Sequence, residues 1–165
     1  MGGPARIGKK IFYMADNFYI APFRINGKEY ISSESYFQCM KAKNEEDHEF
    51  VRMSGPGQLA WEAGANIPLR YDWEKVKVRI MFDGNLEKFR QNERIRDELL
   101  ATTQPIQFGL DYFGLFFIPL KMFWFKWNAK ILTRVRAQLR DKDENDRAEV
   151  EKIEKEMKEY EDQTK

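Results

Sequence analysis

The stretch Ser32-Ser33-Glu34-Ser35-Tyr36-Phe37-Gln38-Cys39-Met40-Lys41 reads as a serine-capped helix start carrying a carboxylate, an amide and an ammonium. A serine hydroxyl at the boundary can accept from a free amide of the first turn, and an acid in that turn meets the positive end of the helix dipole. At about 100° per residue, Glu34, Gln38 and Lys41 fall on one narrow stripe, while Tyr36, Cys39 and Met40 point the other way. If the apolar side docks on a core, Gln38 stands between an acid and a base, with a donor and an acceptor to offer, and each charge can shift the other's pKa. Two readings follow from the pattern alone: a small catalytic or ligand-binding row, or an ordinary solvated face with a Glu and a Lys two turns apart.

Working outward, the chain upstream reads as short extended pieces: Ile11-Phe12-Tyr13, then Phe23-Arg24-Ile25, then Glu29-Tyr30-Ile31 across Asn26-Gly27. Asn-Gly between alternating apolar residues is a strong hairpin signal, because both residues tolerate positive φ. A hairpin therefore delivers the chain to the Glu34 helix. Downstream, the acidic run from Asn44 to Glu49 reads as a solvated loop or helix start, with His48 a surface histidine. Ser54-Gly55-Pro56-Gly57 is a break that lacks the glycine spacing and the lysine of a phosphate-binding loop. Short helices are expected over 58–64 and 92–101, and a long one over about 72–92. On the long helix Trp73, Val76, Ile80 and Phe82 face inward and Lys75, Arg79 and Lys88 outward. Trp73 reads equally as a core residue or as a platform on which a base could stack.

Asp16-Asn17-Phe18-Tyr19, Ala21-Pro22-Phe23, Asn26-Gly27-Lys28-Glu29-Tyr30 and Glu34-Ser35-Tyr36-Phe37-Gln38 with Lys41 stand in an order and at a spacing that resemble the NADAR family. Its members show S-N-F, a Pro strand, a D-G-K-x-Y turn and E-H-Y-F-Q-x-x-K. The resemblance continues through Trp73-Glu74-Lys75-Val76-Lys77, Met81, Lys88-Phe89-Arg90-Gln91-Asn92, Leu99-Leu100-Ala101-Thr102 and Arg134 to Leu139, so it covers about residues 11–140. It implies an N-glycosidase acting on ribosyl bonds, in riboflavin-pathway intermediates or in ADP-ribose compounds including ADP-ribosylated guanine. It implies a catalytic lysine at Lys41, and it sets Asn17 and Phe18 near the N-terminus of the Glu34 helix. Glu34 takes the role of the carboxylate facing an oxocarbenium-like ribose.

Two departures from the family pattern stand out. Ala65 follows Gly64 where the family often has Gly-Arg, and the aromatic run from Phe108 to Phe125 replaces D-x-x-W-G and a glycine-rich G-x-N-x-L-G segment. Asp111 can stand for the Asp of that pattern, Phe113 or Trp124 for its Trp, and Asn128 for its Asn. The run is too short and too interrupted to span a bilayer, and it reads as an aromatic loop or strand pair whose rings, with Trp127 just beyond it, either line a cleft or fill the core. The expected substrate-binding residues are thus Asn17, Phe18, Tyr36, Gln38, Trp73, Asp111, Phe113, Trp124 and Asn128, with Glu34 and Lys41 catalytic. The departures motivate a second reading, a catalytically weakened module that binds ADP-ribose or a related nucleotide.

Composition bounds the rest. With 28 Lys and Arg against 27 Asp and Glu in 165 residues, no net field recruits nucleic acid or a membrane. The expected partner is a small nucleotide-like substrate, or ADP-ribosylated nucleic acid. One cysteine excludes an internal disulfide, and together with one histidine it speaks against a metal site; no metal or organic cofactor is expected. Cys39, on an apolar side, suits a buried thiol in the reducing cytoplasm. The opening Met1-Gly2-Gly3-Pro4 has no apolar targeting core, so residues 1–10 are expected to be a flexible lead. Beyond Arg140 the composition turns to Asp, Glu and Lys, with Val150, Ile153, Met157 and Tyr160 as a thin apolar stripe. This tail, 141–165, is expected to be an exposed, fraying helix that could also serve as an interaction scaffold. The fold expected for 11–140 is a single α+β domain, mostly helical, with a small N-terminal β-hairpin region.

Overall fold

The computed structural model describes residues 2–109 and 119–164. It is a mostly helical α+β domain. Strands β1 (Ala5–Ile7) and β2 (Lys10–Phe12) form a hairpin, a single 3-10 turn (Tyr13–Ala15) follows, and β3 (Phe23–Ile25) and β4 (Lys28–Tyr30) form a second hairpin. Then come α1 (Ser33–Cys39), α2 (Glu45–Met53), α3 (Gln58–Ala65), α4 (Trp73–Gln91), α5 (Glu93–Leu100), β5 (Ile106–Phe108), α6 (Pro119–Arg140) and α7 (Glu144–Gln163). The long α4 packs against α1 on one side and against α6 and α7 on another.

The β3–β4 hairpin is built as its turn residues dictate. Asn26 and Gly27 take φ of 51° and 79°, and the register pairs Phe23 with Tyr30 and Ile25 with Lys28. Asn44 caps α2 by accepting the Asp47 N–H at 2.9 Å, so the acidic run opens a helix whose first turn favours negative charge.

Several expectations are corrected. Residues 5–7 do not belong to a flexible lead: Ala5 and Ile7 are buried, because β1 is the central strand between β2 and β5, with Ile7 opposite Ile106. The stretch 119–125 is helical, not a loop or strand pair: it belongs to α6, Pro119–Arg140. His48 is half-buried, with its Nε2 3.1 Å from the Tyr30 hydroxyl. The C-terminal stripe docks on its own chain: Ile153 and Met157 are buried, Tyr160 donates to the Glu74 carbonyl at 2.6 Å, and Arg79 pairs with Glu154 and Glu161. Arg79 therefore serves the α4–α7 seam. The largest correction on α4 is Lys88, which is wholly buried.

Candidate active site

Helix α1 is short, yet all seven of its residues are buried, polar ones included. Ser32 caps it, accepting the Ser35 N–H at 3.1 Å. The Glu34 carboxylate is 0% exposed and takes a hydrogen bond from Gln38 Nε2 at 2.6 Å, one turn along the same face. Gln38 Oε1 has no hydrogen-bond partner among the described residues. It lies against Gly64 of α3, where a methyl group would stand 2.9 Å from Gln38 Cβ and closer still to Oε1. Only a residue without a side chain lets α3 approach α1 so closely.

The start of α1 is held from outside. The Glu34 N–H donates to the Asn17 carbonyl at 2.9 Å, and Asn17 Oδ1 accepts from Asn85 Nδ2 at 3.0 Å. Ser33 Oγ lies 3.4 Å from Asn17 Oδ1, and Asn17 Nδ2 lies 3.5 Å from Asn128 Oδ1 on α6. Asn17 is thus beside the N-terminus of α1, as expected, and it reaches the Asn128 that the sequence singles out.

Lys41 follows the end of α1 and is half-buried. Its ammonium lies 5.8 Å from the Phe37 ring centre and 5.9 Å from that of Trp73. Burial pushes its pKa down, and the negative charge of Glu34 opposes that shift in part. Phe37 is the hub of the neighbouring aromatics, edge-on to Trp73 at 4.8 Å and to Trp124 at 5.2 Å. Asn17, Glu34, Gln38, Lys41, Trp73, Trp124 and Asn128 are therefore gathered around one helix by four separate segments.

Other expected positions lie apart. Tyr36, two residues beyond Glu34 and so about 200° around the helix, packs with Tyr30 at 5.0 Å and Phe23 at 6.1 Å and fills the space that Gly84 leaves on α4. Phe18 is half-buried over Gly57. Trp127 is turned toward α7, against Phe123 and Tyr160, and is core there instead of a stacking ring. Asp111 and Phe113 lie outside the described residues. A groove of about 790 Å³ between the β1–β2 hairpin and the end of α5, walled by Ile7, Phe12, Met14 and Thr102, includes none of the expected site residues. The reactive types are instead enclosed at α1. Glu45, His48 and Glu49 bring ligand-type atoms within 4.8 Å of one another, but Lys28 already bridges both carboxylates, so their charge is met within the chain.

The residues that sequence reasoning missed are Ser33, Gly64, Asn85 and Lys88. A signal for the last two exists: Val78, Met81, Asn85, Lys88 and Asn92 recur at three- and four-residue steps, so two polar groups sit in the spacing of a buried stripe. Lys88 Nζ donates to the Asp16 carbonyl at 2.9 Å, and burial pushes its pKa down to about 7.

Comparison with known proteins gives this arrangement relatives. The NADAR domain model matches residues 8–106. The chain is 38% identical over 88 residues to N-glycosidase YbiA of Shigella boydii serotype 4 (strain Sb227), and 36% identical over 88 residues to N-glycosidase YbiA of Escherichia coli (strain K12). Each match covers 52% of this chain and 55% of the relative, so the chain spans about half the length of the curated relatives it matches. The NMR structure of the E. coli protein YbiA superimposes with a TM-score of 0.61 at 27% identity, over 76% of this chain and 77% of that one. With the family model matching more than half of its length, the chain belongs to the NADAR family.

Proposed function

We propose that the protein is an N-glycosidase that hydrolyses the bond joining ribose to a base or amine in a nucleotide-like substrate. The substrate class is a riboflavin-pathway intermediate or an ADP-ribose conjugate, including ADP-ribosylated guanine. The observation that carries this reading is the wholly buried Glu34 carboxylate, oriented by Gln38 and sharing its surroundings with a partly desolvated lysine. Relatives named N-glycosidase support the reaction type.

In such a reaction the C1–N bond breaks and its electron pair leaves with the base, which takes up a proton. C1 becomes oxocarbenium-like, and a fixed carboxylate in an enclosed site stabilises that charge more than water would. A water oxygen then adds to C1 and passes its proton to Glu34. Lys41 offers a second route. Its lowered pKa leaves more uncharged amine at neutral pH than an ordinary lysine has, and that amine can attack C1 in place of water: the C1–N electron pair leaves with the base, the sugar ring opens to give an imine between C1 and the lysine, and water hydrolyses that imine to the ribose aldehyde and the free amine. Trp73 and Trp124 supply flat apolar surface beside these groups, and Asn17, Gln38 and Asn128 supply amides for hydroxyls or a base edge. The reaction needs no metal or organic cofactor from this site. The buried Cys39 thiol is pushed up to about 12 by burial, which makes it inert; the cytoplasm is the proposed compartment. Among the described residues no helix is long and apolar enough to cross a membrane.

The test is a mass-spectrometric screen for base release from riboflavin-pathway intermediates, NAD, ADP-ribose conjugates and ADP-ribosylated DNA. Release from one of these is expected; saturable binding with no release would favour the binding-only reading, which Ala65 in place of the family's arginine motivates. With a turned-over substrate present, borohydride should leave a reduced adduct on Lys41. An adduct-free protein whose Lys41→Ala variant stays active would remove Lys41 from the mechanism.

A further inference from the structure

The α4 residues that face the 16–18 loop form a polar row where a fold of this size would ordinarily place apolar side chains. Asn85 holds the Asn17 side chain and Lys88 holds the Asp16 carbonyl; just past the helix, Asn92 donates to the Pro22 carbonyl at 2.9 Å. Lys88 is the costly member. It is 0% exposed, flanked by the rings of Phe89 at 5.2 Å and Tyr19 at 6.0 Å, and its one hydrogen bond among the described residues is to Asp16. An enclosed ammonium with a single acceptor loses more hydration than that bond and the nearby Asp16 charge return, as its lowered pKa reflects, so an apolar residue of similar length would serve folding as well or better.

What the amine does is local and directional. The Asp16 carbonyl accepts from Lys88 and from the Tyr19 N–H at 3.0 Å, and the next carbonyl along, that of Asn17, accepts the Glu34 N–H at 2.9 Å. Two consecutive carbonyls are thus anchored, one to α4 and one to the first turn of the helix that carries Glu34. Fixing the first sets the plane of the Asp16–Asn17 peptide, which leaves only φ and ψ of Asn17 between that anchor and the second carbonyl. The Asn17 side chain, tied to Asn85 and Asn128, follows.

We propose that Lys88 is a positioning residue, whose amine holds the 16–18 loop so that Asn17 meets the start of α1 and Asn128 and the Glu34 carboxylate stays aligned. The inference rests on the N-glycosidase reading for its effect on turnover, but its structural half is measurable without any substrate.

The decisive variant is Lys88→Met, which keeps an unbranched chain and removes the donor. By amide hydrogen exchange followed by NMR, the Glu34 N–H should exchange at least about tenfold faster than in the wild type. Amides in the middle of α4, such as that of Val78, should keep their rates, and the melting temperature should stay level or rise. In base release from the same four substrate types, kcat should fall about 10- to 100-fold, the loss typical of a misplaced catalytic group, with KM within about twofold. Should Lys88→Met fail to fold, Lys88→Gln, which retains an N–H donor at shorter reach, is measured by the same exchange and should fall between the two. A folded variant with an unchanged Glu34 exchange rate overturns the proposal, as does uniform acceleration of all amides or a borohydride adduct on Lys88. If the wild type releases no base at all, the N-glycosidase reading fails, while the exchange result still decides what Lys88 holds.

Discussion

Along α4, one side meets the 16–18 loop and α1, and another meets α6 and α7; both bury charge, in opposite ways. On the first, Lys88 has one carbonyl as hydrogen-bond acceptor with the Asp16 charge nearby, Gln38 leaves an oxygen without a hydrogen-bond partner among the described residues, and Glu34 is enclosed. On the second, Arg79 makes charge-assisted bonds to Glu154 and Glu161, Arg134 pairs with Glu154 and stacks on Phe82 at 3.8 Å, and Lys130 pairs with Glu156. Most of these groups are still partly in water, so the seam costs little desolvation and its pairs are individually weak. Stability is obtained at the α7 seam from Ile153 and Met157 beneath a cover of ion pairs. On the α1 side, Gln38 and Lys88 are kept polar although apolar residues would pack as well, a pattern in keeping with the proposed site.

The sharpest way to break this contrast is Glu34→Gln. Gln38 can still donate to the new side chain's carbonyl oxygen, so the fold should hold to within about 1 kcal/mol, while base release should fall by about 10²- to 10⁴-fold, the usual worth of a positioned acid or base. Normal turnover with lowered stability would make Glu34 a helix-start residue only. On the other side the order should reverse. Met157→Ala removes a fully buried side chain from α7 and should cost about 2 to 5 kcal/mol in denaturant unfolding, with turnover per folded molecule unchanged.

Gly64→Ala tests how tightly the two kinds of packing meet, because its methyl group collides with Gln38. A loss of about 1 to 3 kcal/mol is expected from overpacking. Turnover should drop more than stability accounts for, since Gln38 orients Glu34. If only stability changes, the Gln38 bond has no part in the chemistry.

The smallest effect is a pH dependence. Lys88 has its pKa near 7 in the folded chain, against an ordinary value of 10.5. Below pH 7 both states hold the proton; above it the unfolded chain alone holds it, so stability rises as pH climbs from 7 toward 10.5. Between pH 7 and 8.5 the gain should be about 1 to 2 kcal/mol, read from urea midpoints, and Lys88→Met should lack it. The window closes above about 9, where the unfolded Cys39 thiol ionises and the folded one, held near 12, does not, a difference of the opposite sign.

What the sequence makes legible is local. Asn26-Gly27 specifies its turn, Ser32 its cap, and the apolar spacing from Trp73 specifies a helix that ends within a residue of the expected limit. Glu34 and Gln38 share a stripe because that depends on helix geometry alone, whereas Lys41 lies past the Met40 cap of α1, where the helical spacing no longer applies. What escapes is decided by distant partners. Three residues, Ala5–Ile7, have no periodicity to announce a strand, and they become one because Ile106–Phe108 lies beside them. Lys88 reads as solvated because charge outweighs position in any count of apolar spacing. The tail's stripe of Val150, Ile153, Met157 and Tyr160 was visible, but the surface that receives it, on α4 and α6, was not.

The bond between Asn17 and Asn128 joins residues 111 positions apart, and β1 waits for β5 across nearly as much chain. Closing such loops is entropically slow and gains nothing until both ends are in place. Helices α1 and α4 both lie ahead of α6 in the chain and can meet before it is present, yet the loop over α1 and the α6 amide beside it come together only when the last third of the chain has docked. The order of synthesis and the order of assembly therefore agree: a growing chain carries its acid and its lysine long before it has an enclosed place for them to act.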